Sequence, residues 1–433
     1  MTTSAADILD RCDELARHSS LPDGRIERVY LSPEHAAVNA LAAGWMTAAG
    51  LTTWQDAAGN QCGRLEGAAP DLPALLLGSH LDTVPAAGRY DGILGVLLAI
   101  AVAERLARSG RALPFAIEIA AFGDEEGTRF GTTLLGSRAL AGTWQSEWWQ
   151  LRDQNGVSLE AAYRSFGLDP ACIEDAARPT ADLIGYLEAH IEQGPVLHDR
   201  GIALGVVSSI AGARRFGIVI EGAAGHSGTP WALRRDALAG ASEVILAIER
   251  IARDANLIGT VGHLALSPDA VNVIPGRVEF SLDLRGEFDS HRDRAWTLIE
   301  ETAQLICTRR ALTVTSVQTH AAPAAHSSAH LRAAVAAGIR VAGSVAGAGV
   351  DVAAPPSLFS MAGHDAMAIA ELTDIGMLFV RCRDGVSHHP DESVTEADVA
   401  LALDAFEAAV LVLADQYDAE ELDVEFDARA AAK

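Results

Sequence analysis

The chain has 433 residues, 49% of them hydrophobic and 21% charged, and carries a net charge of −25 at pH 7. That length exceeds one compact core and predicts two domains. The acidic balance argues against a nucleic-acid partner, whose phosphates need basic patches, and a single lysine, Lys433, leaves no residue for Schiff-base, P-loop or kinase-type lysine chemistry.

The opening "MTTSAADILDRCDELARH" lacks the basic stretch and long apolar core of a secretory signal. Residues 34–49 have the pattern of a helix closed by Gly50, and "LTTWQD" and "QCGRLEG" form a hairpin around "AAGN". The apolar runs "PALLLG" (73–78) and "FAIEIAAF" (115–122) have buried-strand character and flank a helix over 92–108. This is a β-α-β unit, which implies a parallel sheet with a right-handed crossover. "GILGVLLAIAVAERLARSG" comes nearest to a membrane span, but Glu104, Arg105 and Arg108 interrupt it at once. No membrane partner is expected.

From residue 214 the pattern changes. Strands are expected over 214–222, 258–266, 277–285 and 312–318, with helices over 236–253 and 290–309. That β-α-β-β-α-β order is the ferredoxin-like split motif. Helices over 333–343 and 395–415 flank a strand over 375–381, and residues 343–356 are loop-like. The expected fold class is therefore α/β in two domains. A mainly parallel-sheet domain comprises 1–209 and 323–433, and a ferredoxin-like (βαββαβ) domain comprises 210–322. The five scattered cysteines (Cys12, Cys62, Cys172, Cys307, Cys382) form no CxxC pair, which fits a reducing cytoplasm.

Ligands of parallel sheets gather at the carboxyl ends of strands, so His80 and Asp82 in "GSHLDT" should meet "GDEEG" (123–127) in space. His80 and Asp82 lie two apart and face one side of an extended segment. That suits a metal-bound imidazole steadied by a carboxylate, although "HLD" alone is equally a polar strand end. Asp91 in "RYDGILG" could cap a helix. Asp124, Glu125 and Glu126 would repel one another unless a cation or proton relieves them. "HIEQGP" (190–195) and "VSHHPDE" (386–392) add His190, His388 and His389. Mixed imidazole and carboxylate ligation suits Zn²⁺, Mn²⁺ or Co²⁺ rather than Ca²⁺ or an iron–sulfur centre. Two metals ~3.5–4 Å apart need a bridging carboxylate, for which Asp91 is the candidate.

The series HLDT, RYDG, DEEGTRFG, HIEQGP, AVNVIPG, AGHDA and SHHP, in order between residues 25 and 415, resembles the amidohydrolase branch of the M20 metallopeptidase family. That branch includes allantoate amidohydrolases, N-carbamoyl-L-amino acid hydrolases and β-ureidopropionases; peptidases of the clan typically carry a carboxylate where His190 stands. The resemblance implies a metallohydrolase domain with an inserted lid and dimerisation domain. It implies two divalent ions per subunit, Zn or Mn with Co or Ni as alternatives. One would sit on His80, Asp91 and His190, the other on Asp91, Glu126 and His388. Glu125 would be the general base and Asp82 would orient His80, while His389 would be structural.

From the lid, His226 in "AGHSGTP" would steady the oxyanion, in some relatives from the partner subunit. Its turn, "HSGTPW", is one residue shorter than the "HAGTTPM" common in relatives. Asn272 and Arg285 resemble a clamp for a substrate carboxylate, with Gln193, Gly363 and His364 nearby. The implied substrate is a small ureido acid, and the wording of the motifs is closest to bacterial allantoate amidohydrolases. N-carbamoyl-L-amino acids and N-carbamoyl-β-alanine are the alternatives. A dipeptidase or aminopeptidase is disfavoured by His190 and the Asn272/Arg285 pair, and a non-catalytic binding protein by the completeness of the site. A cytoplasmic homodimer is expected.

Overall fold

A computed structural model describes residues 2–346 and 355–431, the side chains of 345–346 and 418–431 excepted. The chain divides into two compact units. One contains residues up to 208, 326–358 and 364 onward; the other contains 209–325 and 359–363. The fold is mixed α/β, with a mainly parallel central sheet in the first unit and antiparallel sheets in the second.

The large sheet runs in the order Thr52–Gln55, Gln61–Leu65, Ala116–Phe122, Ala74–His80, Leu183–Ile191, Ile375–Val380, Leu204–Ile210 and Ala325–His326, with Ser357–Ser360 also joined to Leu204–Ile210. Its four central strands, from Ala116–Phe122 to Ile375–Val380, are mutually parallel. They therefore finish at one edge of the sheet, His80 beside Phe122 and His190 beside Phe379. The helix Ile93–Ser109 is buried on all sides through residue 103, which accounts for its membrane-like composition. No helix among the described residues is long and apolar enough to cross a membrane. Helices Ala5–Leu15 and Pro33–Ala48 start on hydroxyl caps, Ser4 and Ser32. Both join Ala329–Ala346 and Glu396–Ala431 in one hydrophobic core, with Val38, Leu97, Val335 and Phe406 fully or almost fully buried.

Leu183–Ile191 carries no periodic apolar signal because Glu188 and His190 interrupt it, yet it is a central strand. Residues 343–346 of the expected loop extend the helix Ala329–Ala346, and its residues 347–354 lie outside the described residues.

In the second unit the strands Leu264–Ser267, Arg277–Gly286, Gly212–Glu221 and Thr313–Ala322 form an antiparallel sheet in that order. The helices Ala237–Asp254 and Asp289–Arg309 pack with it around Phe216, Ile220, Val244, Phe280 and Trp296. The expected strand over 258–266 is two strands, Ile258–Thr260 and Leu264–Ser267, both paired to Arg277–Gly286 with a break between them.

Candidate metal centre

Each chemistry-bearing side chain of the first unit stands at the finishing edge of a central strand. His80 ends Ala74–His80, and the turn that follows brings Asp91 to the start of Ile93–Ser109. Glu125 and Glu126 follow Ala116–Phe122, His190 lies near the end of Leu183–Ile191, and His388 lies beyond Ile375–Val380. Asp91 does not cap the helix; Gly92 occupies that position with φ +72° and no side-chain bond. A Cβ on Gly92 would sit 2.4 Å from the His80 imidazole, so only glycine lets the turn pass so close to the ring.

The imidazoles are oriented by the main chain. His80 Nδ1 lies 3.0 Å from the carbonyl of Asp82, and His190 Nδ1 lies 2.9 Å from that of Ile191. A carbonyl only accepts, so each Nδ1 carries a proton, and in the neutral ring that a cation would bind, each Nε2 presents its lone pair to the cluster. Asp82 acts differently from the expected carboxylate–imidazole bond. Its carboxylate is 3.7 Å from the His80 ring nitrogen, and it accepts the N–H groups of Glu125 and Glu126 at 3.0 and 3.2 Å. It thus fixes the acidic turn, while its backbone carbonyl fixes His80.

Asp91 is split between two groups. Its Oδ1 lies 3.2 Å from His190 Nε2 and 3.9 Å from His80 Nε2. Its Oδ2 lies 3.1 Å from His388 Nε2, which in turn is 3.3 Å from Glu126. Two sets, His80–Asp91–His190 and Asp91–Glu126–His388, therefore each bring three ligand atoms within 4.8 Å of one another. Glu125 joins a further set with His80 and Glu126. Asp91 Oδ1 and His190 Nε2 are buried and have no hydrogen-bond partner, although 3.2 Å apart. An acceptor and a lone pair aimed at one space are what a cation satisfies, so these residues fit a two-ion centre.

The electrostatics agree. Burial pushes the Glu125 carboxyl well above its usual range, and the neighbouring Glu126, Asp365, Asp82 and Asp91 add to the push. Burial also lifts Asp82 to about 6, against the hydrogen bonds from Glu125 and Glu126. Asp91 and Glu126 hold His388 up at about 10. His190 is held at about 9 by Asp91 despite its burial. Without a cation, protons on imidazoles supply the positive charge that this concentration of carboxylates demands.

Gln193 donates to Asp91 Oδ2 at 2.9 Å and to Ser387 at 3.2 Å. His364 is buried and meets His190 edge to face at 4.4 Å. Glu188 forms another compact set with His190 and His364 and accepts the hydroxyls of Ser79 and Tyr186. No motif marks Glu188 in the sequence, though its position two residues before His190 puts both on one face of the strand. His389 points to its own turn, accepting the N–H of Asp391.

In the second unit, His226 and Asn272 come together. The two-stranded ladder pairs His226 with Val273, and Ser227 donates to the Asn272 carbonyl at 3.0 Å. Arg285 is bound to Asp283 and donates to the Met361 carbonyl, and Gly363 belongs to the same unit.

A mainly parallel α/β sheet with two overlapping ligand sets at its strand ends is the layout of a metal-dependent hydrolase. A family profile described as "Peptidase family M20/M25/M40" matches residues 76–412, and the chain belongs to that family. It is 41% identical over 415 residues to a probable allantoate deiminase of Oryza sativa subsp. japonica, covering 90% of this chain and 84% of the relative. It is 40% identical over 411 residues to an N-carbamoyl-L-amino acid amidohydrolase of Geobacillus stearothermophilus, covering 94% and 98%. A hydantoinase/carbamoylase-family amidase from Burkholderia multivorans superposes with a TM-score of 0.85 at 30% identity, covering 95% of this chain and 98% of that one. The protein is a hydrolase of the amidohydrolase kind, acting on non-peptide C–N bonds.

Proposed function

We propose that the protein hydrolyses the ureido group of allantoate, yielding ureidoglycine, ammonia and CO2. The observation that carries the reading is the division of the Asp91 oxygens between two ligand sets, with Glu125 beside them. His80, Asp91 and His190 would hold one divalent cation, and Asp91, Glu126 and His388 the other. Bound there, such ions supply Lewis acidity and bring the pKa of water near neutrality. Glu125, buried and raised in pKa, takes the proton of the attacking water and returns it to the leaving nitrogen as the C–N bond breaks. His226 is assigned to the developing oxyanion, and Asn272 and Arg285 to the substrate carboxylate, for which a guanidinium offers bidentate contact. Gln193, Gly363 and His364 complete the substrate contacts. The second unit is proposed as a ferredoxin-like lid through which two copies pair.

The alternative is an N-carbamoyl-L-amino acid, favoured by the resemblance to the Geobacillus stearothermophilus relative over almost its whole length. Metal-stripped protein resupplied with Mn²⁺ or Zn²⁺ should release ammonia from allantoate. It should leave N-carbamoyl-alanine, N-carbamoyl-β-alanine and a dipeptide essentially uncut. Turnover of a carbamoyl amino acid in preference would replace the substrate and keep the chemistry.

A further inference from the structure

Of the two acids in the motif "SHHPDE", Asp391 is exposed and Glu392 is buried, and neither ligation nor catalysis assigns the buried one a task. Glu392 is 4% exposed, and its carboxylate reaches across the chain to a segment 301 residues away. Its Oε1 accepts the backbone N–H groups of Tyr90 and Asp91 at 2.8 and 3.2 Å. Its Oε2 lies 2.9 Å from the Ser387 hydroxyl, which is also 3.2 Å from Asp91 Oδ2. Its own N–H closes the turn onto the His389 carbonyl at 3.0 Å. The fit is close on the other side as well. A Cβ on Gly88 would come within 2.2 Å of the Glu392 carboxyl group, so that residue gives the carboxylate its room.

These contacts join two turns that have no covalent proximity. One carries Asp91, the other His388, and the two residues must meet for the second ligand set to exist. A backbone N–H withdrawn from water needs an acceptor, and Glu392 supplies it for both Tyr90 and Asp91. We propose that Glu392, with Ser387, is a positioning residue. It locks the Asp91 turn to the His388 turn so that the two Asp91 oxygens face separate ligand sets. The inference rests on the reading of those residues as metal ligands. It concerns reach and geometry, so it predicts that the length of the side chain matters more than its charge.

Glu392→Asp keeps the charge but withdraws the oxygens by one methylene. Glu392→Gln keeps the reach, and its amide oxygen can still accept both backbone N–H groups while its NH2 donates to Ser387. Zinc affinity would be measured on the full chain by competition with a chromophoric chelator, alongside melting of the zinc-free form. Losing a residue that orients a metal ligand typically costs about 10–100-fold in metal affinity. The Asp variant should accordingly lose at least about tenfold and the Gln variant less than about threefold. The reverse order, or unchanged zinc affinity in Glu392→Asp, overturns the proposal. So does lowered zinc-free melting with intact zinc affinity, which would mark a merely structural residue. Should Glu392→Asp not fold, Ser387→Ala removes the hydroxyl link alone and should weaken zinc measurably; unchanged affinity there overturns the idea. Wild-type protein that binds no zinc would instead sink the metal reading, and this inference with it.

Discussion

Two buried side chains illustrate how environment decides what a residue does. Glu125 is surrounded by other carboxylates and driven up in pKa by burial and by Glu126, which makes it a stronger base than an exposed carboxylate. Glu125→Gln should lower kcat by ~10²–10⁴ while two metal equivalents remain bound, measured by ammonia release and elemental analysis of one preparation. His35 is a contrasting case. It is fully buried, accepts the N–H of Leu31 at 3.1 Å, and stacks on Phe166. Burial, with Arg28 nearby, lowers its pKa to about 3. Above pH ~6.5 neither the folded nor the unfolded state is protonated, so its contribution is complete. As pH falls toward 3 the unfolded chain binds a proton that the folded protein refuses, and stability drops by up to ~1.4 kcal/mol per unit. Urea unfolding of the metal-free protein between pH 7.5 and 5 should show a shallower loss in His35→Gln than in wild type. The proposed ligand residues are legible in the sequence because each sits in a short motif at or after a strand end. Glu188 and Glu392 are not, because their partners come from other strands and turns.

At the scale of elements, the strand Ala116–Phe122 is buried along its whole length yet contains Glu118. The neighbouring strand places Arg64 opposite it, and Arg178 arrives from a loop, at 2.8 and 2.7 Å. Removing one partner of a buried ion pair typically costs ~3–5 kcal/mol. Glu118→Ala should therefore destabilise the protein by about 3 kcal/mol, read from the urea midpoint at constant slope. The β-α-β unit around this strand was readable from two apolar runs flanking a helical period. Leu183–Ile191 escaped because a strand that carries an imidazole and a carboxylate loses the pattern by which buried strands are found. The broken strand at 258–267 has a similar origin, since periodicity registers extended backbone but not a break in pairing.

For the whole molecule, the centre gathers residues from position 80 to position 388, so its ions should stabilise the fold as well as serve chemistry. Zinc at about 100 times its Kd should add ~2.7 kcal/mol to unfolding. Chelation should lower the melting temperature, and added Zn²⁺ should restore it in proportion to the logarithm of its concentration. A melting curve indifferent to metal would contradict the two-ion centre. By itself the sequence determined the inventory: acids and imidazoles at strand ends, an acidic surface poor in lysine, and motifs in an order shared with one family. These follow from local backbone period and residue chemistry, which lie along the chain. Tertiary structure decided which atoms face which. The carbonyls of Asp82 and Ile191 select the imidazole nitrogens, and the Asp91 oxygens part toward different partners. Glu392 binds a turn 301 residues distant. Such choices depend on contacts between segments remote in sequence, where no local pattern records them.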